Sequence, residues 1–186
     1  MLAGLDLRNA RAVLEYGPGT GIVTDHIRRE ISPHTSLVAI EINPRMAALF
    51  KQRHPDVRLF QDTVANARMI CDYAGMDLVD CIVSGLPWST FSHPMQLKVL
   101  NETMRVLKPG GWFAVSDVIA DPDMDDATRA DMRQWTGCIA GALTEDEFRA
   151  ALAGAGLVDV EIRPTHRVHE HAGSAIVRAR KPEATA

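Results

Sequence analysis

The chain has 186 residues, 46% hydrophobic and 24% charged, so one globular domain spanning residues 1–186 is the simplest expectation. Its formal net charge of −4 gives no electrostatic footprint for nucleic acid or an anionic membrane, and no apolar run approaches the ~20 residues that span a bilayer. Three cysteines, Cys71, Cys81 and Cys138, lack paired or metal-type spacing and no leader pattern precedes them, which points to a reducing, cytoplasmic setting.

Strand and helix patterns alternate from the start, which predicts an α/β fold with a parallel sheet covered on both faces. The first strand is predicted over residues 12–16, followed by a glycine turn and a helix with Val23, Ile27 and Ile31 on one stripe. A second strand ends at Ile42, and Asn43-Pro44 opens the next helix as cap and first-turn proline, with Met46, Leu49 and Phe50 facing inward. Residues 57–60 read as a third strand, 64–73 as a helix, and 79–83 as a buried fourth strand. The helix predicted over 94–107 places Leu97, Leu100, Met104 and Leu107 together, and a Pro109-Gly110-Gly111 turn leads into a fifth strand over 112–119.

The last third changes character. Asp121, Asp123, Asp125 and Asp126 form an acidic loop that lacks the glycine and terminal glutamate of a calcium site, followed by helical sequence to about residue 140. Thr144 and Glu147 form a capping box for a helix with Phe148, Ala151, Leu152 and Ala155 inward, closed by Gly156. Residues 158–163 and 175–180 read as two strands joined by a solvated connection carrying His166, His169 and His171, with no metal assigned to it.

Chemistry concentrates at the predicted strand ends. Gly17, Gly19 and Gly21 alternate in the turn after strand one, where bare backbone can approach a ligand. Glu41 ends the second strand, 20 residues after Gly21, and a carboxylate there can accept both hydroxyls of a ribose. Asp62 ends strand three, where it reads as a cap for the following helix. These three tips together read as a nucleoside-cofactor site, with Glu41 expected to be exposed. Strand four ends in Ser84-Gly85-Leu86-Pro87-Trp88-Ser89, either a proline turn with a packed tryptophan or an aromatic wall beside a cationic centre.

The turn Gly17-Pro18-Gly19-Thr20-Gly21, preceded by Glu15, resembles the first motif of class I S-adenosylmethionine-dependent methyltransferases. That resemblance implies a Rossmann-like, mostly parallel seven-stranded sheet whose last strand runs antiparallel. It also implies S-adenosyl-L-methionine as cofactor, held by Glu15, Gly17, Gly19, Thr20, Gly21, Glu41, Ile42, Asp62 and Ser84. Ser84, Leu86 and Trp88 are then expected on the acceptor side.

Residues 2–91, through Ala39-Ile40-Glu41-Ile42-Asn43-Pro44, His54-Pro55-Asp56 and the strand-four tip, resemble bacterial phospholipid N-methyltransferases acting on phosphatidylethanolamine. This implies a lipid amine headgroup as acceptor, with at most peripheral membrane contact and no nucleic-acid partner. From Arg105 onward, Ala114-Val115-Ser116-Asp117-Val118 and Trp135-Thr136-Gly137-Cys138 resemble arsenite methyltransferases, implying Cys138 as a ligand for trivalent arsenic. Leu86 stands where that family's partner thiol is expected. Arsenite is therefore the second candidate acceptor. A ribosomal RNA adenine methyltransferase and a non-catalytic cofactor-binding module are further alternatives.

Overall fold

A computed structural model describes residues 1–124, 127 and 141–184. Among these, the strands are β1 (Ala12–Tyr16), β2 (Ser36–Ile40), β3 (Arg58–Phe60), β4 (Val79–Ser84), β5 (Leu107–Ala120), β6 (Leu143–Thr144), β7 (Val158–His169) and β8 (Ala172–Arg180). They form one sheet in the order β3-β2-β1-β4-β5-β8-β7, with the two-residue β6 running parallel to the end of β5. The pairs from β3 through to β5 are parallel, while β8 is antiparallel to both of its neighbours. This is the mostly parallel Rossmann-like arrangement expected, with β6 as an eighth strand. No periodicity marks β6, which is only two residues long.

Alternation along the strands assigns the helices to two faces. Leu14 and Tyr16 of β1, Ile82 of β4 and Phe113 of β5 share one core with α3 (Ala67–Ala74), α4 (His93–Val106) and α5 (Glu145–Gly154). Val13, Cys81, Val83 and Ala114 point the other way, against Ile27 of α1 (Ile22–Glu30) and the N-terminal Leu5 and Leu7. Phe50 of α2 (Pro44–Arg53) packs on Ala39 and Val57 on that same side.

Both predicted caps form: Asn43 accepts from the N–H groups of Arg45 and Met46, and Thr144 and Glu147 close a reciprocal box. Two helix faces need correction. On α2 the buried positions are Ala47 and Phe50, while Met46 and Leu49 stand 37% and 46% exposed. On α4 the buried residues are Gln96, Val99, Leu100, Glu102, Thr103 and Val106, leaving Leu97 exposed. Hydropathy alone misses that set because three of its members, Gln96, Glu102 and Thr103, are polar. Gln96 is accepted inside because its amide donates to the Trp88 and Phe91 carbonyls, which removes the desolvation cost.

The terminal strands are longer than predicted. His166 and His169 lie within β7, and the connection to β8 is only Glu170 and His171. As the outermost strand, β7 is largely exposed, so its polar residues masked the strand pattern. Its pairing with β8 shifts register three times, Pro164 offers no N–H, and Asp159 has a positive φ of 52°.

Candidate functional site

β1 lies between β2 and β4, so the chain leaves it in opposite directions and a crevice opens at the strand C-termini. The glycine turn fills this point. Gly17 donates to the Ile40 carbonyl of β2, and Gly85, beyond β4, donates to the Tyr16 carbonyl. The turn is thereby tied to both neighbouring strand tips. Thr20 is half-buried within it.

The glycines differ in what surrounds them. Gly17 packs under Leu86, and Gly21 under the rings of His54 and Phe50. Gly19, with φ +57°, has no atom within 4 Å of where a side chain would begin. Main chain is therefore presented to open space at Gly19, as close approach to a ligand requires.

Glu41 borders the same space, and here the expectation of an exposed acid is corrected. Its residue is only 7% exposed, because its carboxylate bridges two backbone donors. Oε2 accepts from Gly19 N–H at 3.1 Å and Oε1 from Asn43 N–H at 2.8 Å. Each oxygen retains a further lone pair, so the carboxylate is fixed in place yet still able to accept. Asp62 Oδ1 accepts from Thr63 N–H and the Asn66 side-chain amide, while the cap foreseen for it falls to Thr63, whose hydroxyl accepts from Ala65 N–H. Asp62 also lines a cavity of about 260 Å³ together with Glu41, Ile42, Leu86, Phe91 and Met95. The strand-two and strand-three acids thus share one cavity, and Ile42 is 66% exposed at its edge.

At the strand-four tip the expected residues separate. Leu86 reaches the cavity, while Ser84 is fully buried, its hydroxyl accepting from Leu86 N–H. Trp88 is 2% exposed, and its ring meets Phe91, Phe113 and Phe148 at centroid distances of 6.0, 5.9 and 6.2 Å. The aromatic wall assigned to it is therefore withdrawn: Trp88 is core, where its large apolar area is most stabilising.

Sequence reasoning passed over two residues here. Asp117 of β5 accepts from Trp88 N–H at 3.0 Å, and Ser89 N–H reaches the same carboxylate, so it caps the 3-10 turn Trp88–Thr90 from the adjacent strand. Burial raises its pKa to about 6 despite these donors. His54, at the end of α2, lies against Gly21. Both stood inside quoted motifs, but nothing in a one-dimensional pattern says that either side chain turns inward.

Glu15 lies beneath the turn, 1% exposed, with Oε2 accepting from the Thr24 hydroxyl at 2.7 Å and Oε1 without a partner among the described residues. Burial raises its pKa from 4.5 to about 7, against the opposing pull of Thr24. Between these values the native chain holds a proton that the unfolded chain has released. The associated stability is fully present below pH 4.5 and is lost as pH rises through about 7. Glu15→Gln should remove about 3 kcal/mol from the wild-type stability difference between pH 4.5 and pH 8, read from urea unfolding at both values. An unchanged difference would show that Glu15 is not the group being titrated.

Cys138 lies outside the described residues, as do Asp125 and Asp126. Cys71 and Cys81 are buried, and burial pushes their thiols up to about 11 and about 12, so neither is a thiolate near neutrality. Asp121 pairs with Arg167 through two hydrogen bonds, and the rings of His169 and His171 stand 5.9 Å apart at the β7–β8 turn. No helix among the described residues is long and apolar enough to cross a membrane.

Comparison with known proteins gives a consistent picture. Residues 13–111 match the family described as "Methyltransferase domain". An arsenite methyltransferase of Halobacterium salinarum is 27% identical over 188 residues, covering 91% of this chain and 46% of that protein. An ornithine lipid N-methyltransferase of Singulisphaera acidiphila is 32% identical over 108 residues, covering 56% of each. The chain spans about half the length of these relatives. Among solved structures, an arsenic(III) S-adenosylmethionine methyltransferase from Chlamydomonas reinhardtii superposes with a TM-score of 0.70 at 19% identity, covering 96% of this chain and 65% of that one. At that identity the likeness establishes the fold.

Proposed function

The chain belongs to the S-adenosylmethionine-dependent methyltransferase family, and from that premise we propose that it methylates an amine, with a phospholipid headgroup as acceptor. The observation that carries the cofactor assignment is the Glu41 carboxylate, locked between Gly19 and Asn43 N–H groups at the wall of the cavity. The residues fit the cofactor. Gly19 exposes bare main chain, Glu41 has lone pairs for ribose hydroxyls, and Asp62 offers a carboxylate for the adenine amino group. Ile42, at the cavity edge, supplies an apolar surface for the base.

When bound, S-adenosylmethionine supplies a methyl group on a sulfonium centre that is already electrophilic. The protein then has to hold, align and keep water out, and it needs no general base for a neutral amine. Leu86, Pro87, Phe91 and Met95 give the cavity an apolar side suited to that task. Asp117 holds the loop carrying Leu86, Pro87 and Phe91 by capping its turn.

The amine reading is supported by the likeness to the ornithine lipid N-methyltransferase. Arsenite is the second reading, because the relative acting on it aligns with 91% of this chain and so includes the segment around Cys138. A single assay separates them: liposomes containing phosphatidylethanolamine, and arsenite with glutathione, each offered with radiolabelled cofactor. Label is expected in lipid, with Cys138→Ser retaining turnover within about twofold, because no thiolate takes part in amine methylation. Label on arsenic alone, lost in Cys138→Ser, would replace the first reading with the second.

A further inference from the structure

We propose that His54 is a positioning residue for the cofactor turn, its Nε2–H holding the Gly21 carbonyl while Arg28 fixes the ring's tautomer. The inference rests on the assignment of the glycine turn to S-adenosylmethionine. It adds a residue whose side chain lies outside the cavity and acts through the backbone.

The hydrogen bonds settle which ring nitrogen carries the proton. Arg28 Nη1 lies 3.3 Å from His54 Nδ1. A guanidinium only donates, so Nδ1 is the acceptor and the proton of the neutral ring is on Nε2. Nε2 lies 2.9 Å from the Gly21 carbonyl oxygen, which cannot donate, and so Nε2–H donates to it. Arg28 is itself held by Asp56 through two bonds of 2.9 and 2.6 Å. The other charged group near the ring is Asp25, 3.6 Å from Nε2 and paired with Arg53.

The location gives this bond its effect. Gly21 is the left-handed N-cap of α1, and its carbonyl also accepts the first helical bond, from Asp25 N–H at 3.1 Å. The ring sits so close that a Cβ on Gly21 would lie 2.5 Å from Nε2. His54 is 2% exposed and packs on Phe50 at 5.1 Å between centroids. The turn is therefore held at two points from the β2–α2 segment. Glu41 binds Gly19 N–H at one, and His54 binds the Gly21 carbonyl at the other. Between them lies the stretch of main chain that faces the ligand, so its conformation is set before binding.

A paired substitution tests the bond apart from the packing. His54→Met and His54→Gln both lose the aromatic ring, but only glutamine offers an N–H able to reach the Gly21 carbonyl. With calorimetric S-adenosylmethionine affinity measured well below each melting temperature, His54→Met should raise Kd about three- to tenfold. His54→Gln should return it to within about twofold of wild type, while both variants lose similar thermal stability. Equal Kd values for the two variants, or an unchanged Kd in His54→Met, overturns the proposal. Should His54→Met fail to fold, His54→Gln is compared with Arg28→Met, which keeps the ring but frees its tautomer. Weaker binding in Arg28→Met than in His54→Gln is then expected, and the reverse order overturns the proposal. If wild type itself fails to bind S-adenosylmethionine, the cofactor reading falls and this inference falls with it.

Discussion

Trp88→Ala is expected to lower the unfolding free energy by about 3–5 kcal/mol, the usual cost of removing a fully buried large aromatic ring. The ring is enclosed by Phe91, Phe113 and Phe148, which come from the loop after β4, from β5 and from α5. Its loss therefore opens a cavity where three elements meet, and β5 cannot move in to fill it without breaking the sheet. Trp88→Phe should recover most of the loss and bind S-adenosylmethionine within about twofold of wild type, since the indole lines no part of the cavity. Urea unfolding at 25 °C gives the first value and calorimetry the second. A stable Trp88→Ala protein with selectively abolished cofactor binding would return the indole to the site.

Glu41→Ala should weaken S-adenosylmethionine binding by about 2–3 kcal/mol, roughly 30- to 150-fold in Kd. Two effects combine in this figure. The ribose loses a charged acceptor, and Gly19 and Asn43 N–H groups lose the carboxylate that fixes the turn. Glu41→Gln keeps one acceptor oxygen but neither the charge nor the double bridge, so an intermediate loss of about tenfold is expected. A Kd within threefold of wild type in Glu41→Ala would refute the assignment of the pocket.

Much of this was legible in the residues. The glycine turn, Glu41 and Asp62 each sit at the end of a strong strand pattern, and a doubly wound sheet brings such ends together whatever fills its interior. Asn43 and Thr144 declared their helices because capping is a local interaction between neighbours. The rest depended on contacts between residues far apart in the chain. The state of Glu41 is set by Gly19, 22 positions away, and that of Trp88 by Asp117, 29 positions away. The inner face of α4 was misread because Gln96 and Thr103 count as polar in any hydropathy pattern, and only the fold supplies the carbonyls that Gln96 satisfies. His54 illustrates the same limit, since its role needs the end of α2 to converge with both Gly21 and Arg28 of the α1 segment.

The irregular outer strand has a consequence for how copies of the molecule meet. Templated growth of cross-strand ribbons requires an even row of donors and acceptors along a border. On one flank that row is interrupted by a proline and by repeated slips in β7. On the other, β3 is three residues long and too short to seed an ordered ladder. Both flanks of the native sheet therefore carry features that disfavour edge-to-edge pairing.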